Sequence, residues 1–250
     1  MTYSIVARDP GTGAFGVAVA SRFFAVGALV PHMDGRAGAI ATQAFVSPLY
    51  GTDGLDMLKR GDDAQTVMET VTGRDAGRHS RQMHVIDAQG RNAAFTGEDC
   101  VDWAGHLVAE NVSVAGNMLA GPQVLDATLA AYQDRPDLDF AERLLCAMEA
   151  GEAAGGDKRG RQSAALRITR GEAYPWLDIR ADDHGNPLAE LRRLIAVAGE
   201  RFLHVAETLP TADNLSGLLD RSPVDEKITR LEMERKAQGR ASASFATPPA

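Results

Sequence analysis

The sequence predicts a mixed α/β fold of the α+β kind, a sheet core covered by helices, in a soluble intracellular protein. Three observations carry this. Short apolar runs rich in β-branched residues lie between dense turn signals. Helical periodicity replaces them near Leu55 and again after Pro122. The 250 residues are 44% hydrophobic and 24% charged, the balance of a globular chain that can bury one ordinary core.

Tyr3 to Arg8 reads as the first strand, closed by the turn signal Asp9-Pro10-Gly11-Thr12-Gly13. Phe15 to Ala20 reads as its hairpin partner and Gly38 to Ala44 as a third strand. Leu55, Met57 and Leu58, then Val67, Met68 and Val71, suit two short amphipathic helices separated by Gly61. Gln82 to Asp87 and Asn92 to Thr96 flank Ala88-Gln89-Gly90-Arg91 as a second hairpin, and Leu107 to Ala115 reads as one strand with a break near Asn111.

Val124, Leu125, Leu129 and Tyr132 form one helical stripe, and Leu144, Leu145 and Met148 another, ending at Gly155-Gly156. Strands are expected at Ser163 to Thr169 and Trp176 to Arg180, then a helix from Leu188 to Val205. Residues 1–205 are expected to form one domain. Residues 206–250 form an extension with a charged helix near 226–236 and a disordered tail from Ala241. Two sheets between two helix layers satisfy this order, and so does a single sheet.

Composition narrows the partners. A formal net charge of -8 gives no positive field for nucleic acid. No run approaches the roughly 20 apolar residues of a membrane-spanning helix, and the N-terminus has no export signal, so a cytoplasmic location is expected. Cys100 and Cys146 read as reduced structural cysteines, and the six histidines show no metal-ligand spacing. No cofactor is expected. A homodimer or higher homo-oligomer is expected, with the 226–236 helix as one candidate contact.

The polar residues that stand out follow strands. Arg22 and Gln43 come at strand ends, and Asn117 lies in Gly116-Asn117-Met118-Leu119-Ala120-Gly121, where its amide could hold an oxyanion or merely cap a turn. The densest string is Gly155-Gly156-Asp157-Lys158-Arg159-Gly160-Arg161-Gln162-Ser163. Its bland reading is a solvated loop. Its position between a helix and an apolar strand favours inward side chains instead, with Asp157 paired to Arg159 or Arg161.

Together with Thr2-Tyr3-Ser4-Ile5, Val17 to Gly27 and Ala41 to Phe45, these strings resemble the family catalogued as domain of unknown function 1028, over approximately Thr2 to Leu194. The resemblance implies the N-terminal-nucleophile (Ntn) hydrolase fold, a four-layer α-β-β-α sandwich with the first strand at its centre. It implies Thr2 as nucleophile once Met1 is removed, its α-amine acting as base. An α-amine has a reference pKa of about 8, so an appreciable fraction is neutral at pH 7. Asn117 and Lys158 would complete the catalytic group; Arg22, Gln43, Asp157, Arg161, Gln162 and Ser163 would bind substrate. With Met1 retained the amine is acylated, and Ser4 is the fallback hydroxyl on the same strand face. The implied activity is hydrolysis of an amide or ester in a small substrate, and the basic string suggests an anionic one. The alternative is a non-catalytic protein of this fold that binds a metabolite or serves as an assembly subunit.

Overall fold

A computed structural model describes residues 2–247, which fall into two compact units divided between Leu191 and Arg192. The first unit holds two antiparallel sheets. β1 (Thr2–Arg8) and β2 (Phe15–Ser21) form the expected hairpin. Asp9 closes its loop by accepting from Gly11 N (3.1 Å) and Thr12 Oγ1 (2.5 Å). Then come β3 (Pro31–Asp34) and β4 (Gly38–Ala44), helices α1 (Pro48–Arg60) and α2 (Ala64–Gly73), and β5 (Arg81–Asp87) and β6 (Asn92–Thr96).

After these follow β7 (Trp103–Ala109), β8 (Val112–Leu119), α3 (Gln123–Gln133), α4 (Phe140–Ala153), β9 (Ser163–Thr169) and β10 (Pro175–Ala181). The larger sheet runs β10-β9-β2-β1-β8-β7, so β1 is an interior strand; the smaller runs β3-β4-β5-β6.

Local chemistry sets the helix ends. Pro48 occupies the first turn of α1, and Gly61 ends it at φ 97°. Asp63 Oδ1 caps α2 by accepting from Thr66 N at 2.8 Å. Gly155 and Gly156, both at positive φ, stop α4, with Gly156 N reaching Gly151 O at 3.1 Å.

Two helices pack on each sheet. α1 and α2 cover one face of the smaller sheet, burying Ile40, Met57, Val67, Met83 and Val85 together. α3 and α4 cover the larger sheet, where the Tyr3 hydroxyl donates to Met148 O (2.9 Å). The remaining faces of the two sheets meet through β1, β4, β5 and β8. Part of that interface is apolar, with Val6, Val17, Val19, Ala39, Ala41 and Ile86 fully buried. Each of the three valines and Ile86 contributes about 1.5–3 kcal/mol on burial. The other part is polar and forms the site.

Three elements differ from the sequence reading. The break at Asn111 is a hairpin turn, with Asn111 at φ 58°, so the expected single strand is the pair β7 and β8. Strand β3 went unpredicted because it is short and begins with proline, which an edge strand tolerates. The expected helix 188–205 is α5 (Pro187–Glu200) and α6 (Phe202–Ala206), broken at Arg201.

In the second unit α7 (Ser222–Ala237) buries Ile228 on its inner side. Glu200 joins three partners there: Arg235 (2.9 Å), Ser242 Oγ (2.6 Å) and Ala243 N (2.7 Å). The segment 241–247, expected to be disordered, carries those last two hydrogen bonds; residues 248–250 of the expected tail lie outside the described residues, as does Met1.

Candidate functional site

Thr2 opens β1 and pairs across the ladder with Asn117 on β8. It is buried, and its Oγ1 donates to Ser21 Oγ at the end of β2 (3.2 Å). Asn117 therefore lies within a strand, not in the flexible loop its flanking glycines suggested, and is 2% exposed. Its Nδ2 reaches Gln82 Oε1 at 3.2 Å and, less closely, Thr2 O at 3.4 Å.

From Asn117 a chain of buried side chains runs between the sheets. Two backbone carbonyls set its direction. Gly105 O and Gly116 O can only accept, so the Gln82 group 2.9 Å from each is its amide nitrogen. Gln82 Oε1 then receives Nδ2 of Asn117 and Nε2 of Gln43, the latter at 2.8 Å. Gln43 Oε1 is left to Ser4, whose hydroxyl donates at 2.6 Å. With that proton used, Ser4 Oγ accepts from His84 Nε2 (2.8 Å), and His84 Nδ1 accepts from the Ser113 hydroxyl (2.8 Å). His84 is thus the neutral Nε2–H tautomer. Its burial, and secondarily the nearby His106, push its pKa down to about 3. Ser4 has no solvent exposure and both its contacts are engaged, which removes it as a fallback nucleophile.

The Gly155–Ser163 string wraps the ends of β8 and β2. Asp157 bridges to Leu119, and Gln162 N donates to Ser21 O at 3.1 Å, beside the Thr2 contact. The Asp157 carboxylate is buried and accepts from Arg22 N (2.8 Å), Arg159 N (2.8 Å) and Arg159 Nη2 (3.3 Å). Of the two pairings open to Asp157, the structure chooses Arg159.

Several expected roles are corrected. Lys158 Nζ pairs with Asp102, both groups about two-fifths exposed, so it is not a buried cation beside Thr2. Arg161 Nε is held by Glu152 at 2.9 Å. Gln162 Nε2 turns to Asp183 (3.2 Å). Ser163 is fully buried: its hydroxyl donates to Phe23 O (2.5 Å) and accepts from Val26 N (3.1 Å). Arg22 contributes its backbone N–H to Asp157, and the residue is exposed. The three cations of the string thus each face a carboxylate, which removes the reason for expecting an anionic substrate.

A cavity of about 390 Å³ opens beside Thr2, walled by the loop after β2 and the end of β4. A second, of about 420 Å³, is lined by Asn117 and Met118 and shares Ala44 and Phe45 with the first. Four non-glycine residues in left-handed backbone stand in or next to these walls: Ala25 (φ 52°), Ala44 (φ 68°), Asp102 (φ 56°) and Met118 (φ 54°). Each such residue costs about 1–2 kcal/mol, and strain of this kind collects at functional sites. The wider hollow along α7, lined by Asp225, Arg230 and Met233, is walled by one helix and holds none of the candidate residues.

Sequence reasoning missed Ser21, Gln82, His84 and Ser113. A signal existed: Gln82 and His84 alternate with Met83 and Val85, placing polar groups on one strand face. Among the described residues no group of His, Cys, Asp or Glu is arranged to hold a metal, neither cysteine is in a disulfide, and no helix is long and apolar enough to cross a membrane.

Residues 2–191 match the Family of unknown function (DUF1028). The fold is similar to the crystal structure of protein SPO2555 from Silicibacter pomeroyi, a DUF1028 protein. The TM-score is 0.81 at 35% identity, covering 88% of this chain and 96% of that one. No curated protein matches the chain. The chain belongs to the DUF1028 family.

Proposed function

We propose that this DUF1028 protein is an Ntn-type hydrolase of amide or ester bonds in a small molecule, with Thr2 as nucleophile. The observation that carries the reading is the placement of Thr2: first residue of an interior strand, hydroxyl on Ser21, side chain at a cavity wall, Asn117 its cross-strand partner. The order of helix pair, sheet, sheet and helix pair supports assignment to the four-layer α-β-β-α sandwich of that superfamily.

In this scheme, loss of Met1 frees the Thr2 α-amine. Thr2 Oγ1 attacks the substrate carbonyl carbon while its proton passes to the amine. The new C–O bond turns the carbonyl oxygen into a tetrahedral oxyanion; its collapse breaks the C–N or C–O bond to the leaving group, to which the amine returns the proton. Water then cleaves the acyl-Thr2 ester, releasing a carboxylic acid and restoring the hydroxyl. The long Asn117 Nδ2 contact to Thr2 O is the one that a developing oxyanion would replace, since the bond to Gln82 fixes the amide in place.

The test is the intact mass and N-terminal sequence of untagged protein, followed by hydrolysis assays against Thr2→Ala. Thr2 Oγ1 makes one hydrogen bond in the fold, so Thr2→Ala should cost only about 1 kcal/mol of stability while abolishing turnover. Complete retention of Met1, or unchanged turnover in Thr2→Ala, refutes the assignment.

A further inference from the structure

The cavity beside Thr2 has a largely apolar wall. Val26 and Val30 are buried in its wall, Leu29 and Val46 are half-buried, and Phe23 and Phe45 stand exposed where it meets solvent. The side chains of Thr2 and Gln43 are its polar ones, and none of the residues lining it is charged. Gln43 commits its oxygen to Ser4 and one N–H to Gln82, so the Thr2 hydroxyl is the nucleophilic group presented to the cavity, beside the second Gln43 N–H.

The wall is built, not incidental. Ser163 holds Phe23 O and Val26 N from below. Thr42 N donates to Val30 O at 3.2 Å, and Ala25 N to Asp182 O at 3.0 Å. On the other side Phe45 N donates to Ser80 O (3.0 Å), and Arg81 Nη1 donates to Phe45 O (2.6 Å) with its guanidinium 5.4 Å from the Phe45 ring. These bonds hold two loops of opposite sheets with their apolar side chains turned to one space. The space is about 390 Å³, within the range that takes a small organic group.

We infer that this cavity binds the acyl part of the substrate, and that this part is an uncharged aliphatic or aromatic group. The inference rests on the hydrolase reading for the word acyl; the preference for a neutral apolar group rests on the wall alone. It replaces the anionic preference drawn from the basic string, whose cations are engaged with Asp102, Asp157 and Glu152. A carboxylate set against this wall would lose its hydration with no cationic side chain lining the cavity to pair with.

The experiment uses full-length Thr2→Ala protein, so that binding is measured without turnover. Acetamide, butanamide and hexanamide are titrated by ligand-observed NMR or calorimetry, and adipamate serves as the charged match of hexanamide. Affinity should rise about fourfold per buried methylene through the neutral series. Adipamate should bind at least tenfold more weakly than hexanamide. Leu29→Lys should weaken hexanamide about tenfold or more and narrow or reverse the gap to adipamate. Equal or tighter binding of adipamate by the Thr2→Ala protein overturns the inference, and so does a neutral series without chain-length dependence.

Hydrolysis of N-phenylhexanamide by protein with a free Thr2 separates this inference from the reading beneath it. If hexanamide binds with the predicted preference and the anilide is not cleaved, the cavity assignment stands and the hydrolase reading falls. If the anilide is cleaved while the adipoyl analogue is cleaved faster, the hydrolase reading stands and the apolar assignment falls.

Discussion

Lowering the pH from 7 to 5 should cost this protein stability through one buried imidazole. His84 is neutral in the fold because both ring nitrogens are committed, one donating to Ser4 and one accepting from Ser113, and because burial pushes its pKa down to about 3. In the unfolded chain it titrates at about 6.5. A folded pKa depressed in this way contributes stability that is complete above the unfolded value and is lost as pH falls toward the folded one. The unfolded chain then gains the proton that the fold refuses. The linkage integral gives a loss of roughly 2 kcal/mol at pH 5 and roughly 3 kcal/mol at pH 4.

The assay is urea unfolding of wild type and His84→Gln at pH 7, 6 and 5. Glutamine can donate and accept along the same line but does not titrate. Carboxylates and the other histidines act in both proteins and cancel in the difference. The variant should be destabilised at pH 7, with its deficit shrinking by roughly 2 kcal/mol by pH 5. A deficit independent of pH would show that His84 is not held neutral, and the polarity derived for the whole chain from Ser113 to Asn117 would fall with it.

Three further substitutions test the bracing around Thr2. Asp157→Ala removes a buried carboxylate that three N–H groups share, so it should cost about 3–5 kcal/mol in chemical unfolding. Lys158→Ala breaks only a solvent-screened surface pair and should cost less than about 1 kcal/mol. Ser163→Ala leaves the Val26 amide without its acceptor and should cost about 1–3 kcal/mol. Hydrogen exchange at Val26 should speed up more than at the ladder amides of β9, which a uniform loss of stability would not produce.

The arrangement of elements was largely legible because it rests on local signals. Turn residues at Asp9 to Gly13 and glycines at Gly61 and Gly155-Gly156 act on their own neighbourhoods. Hydrophobic periodicity also reports which face of a segment is covered. Even the failures are local in kind: Asn111 was seen as a break but not as a hairpin turn, and the proline at the head of β3 concealed an edge strand.

The site was legible only in part. Thr2 and Asn117 stood out by type and position, yet their pairing depends on β8 lying beside β1 more than a hundred residues later. The string from Gly155 to Ser163 reaches Ser21 beside Thr2, but its cations, expected to bind a ligand, face carboxylates. Asp102, which neutralises Lys158, is distant in sequence, and Glu152, on the helix just before the string, carries no local sign that it faces Arg161. Gln82 and His84 look like errors in an apolar strand until the second sheet supplies Ser4, Gln43 and Ser113 as partners.

Sequence alone determined most of the strands and helices, because those choices follow largely from short-range backbone geometry and the period of burial. Tertiary structure alone decided which polar groups are neutralised and which face open space. A buried charge or hydrogen-bonding group is stable only with a partner, and the partner can come from any strand that the fold brings alongside.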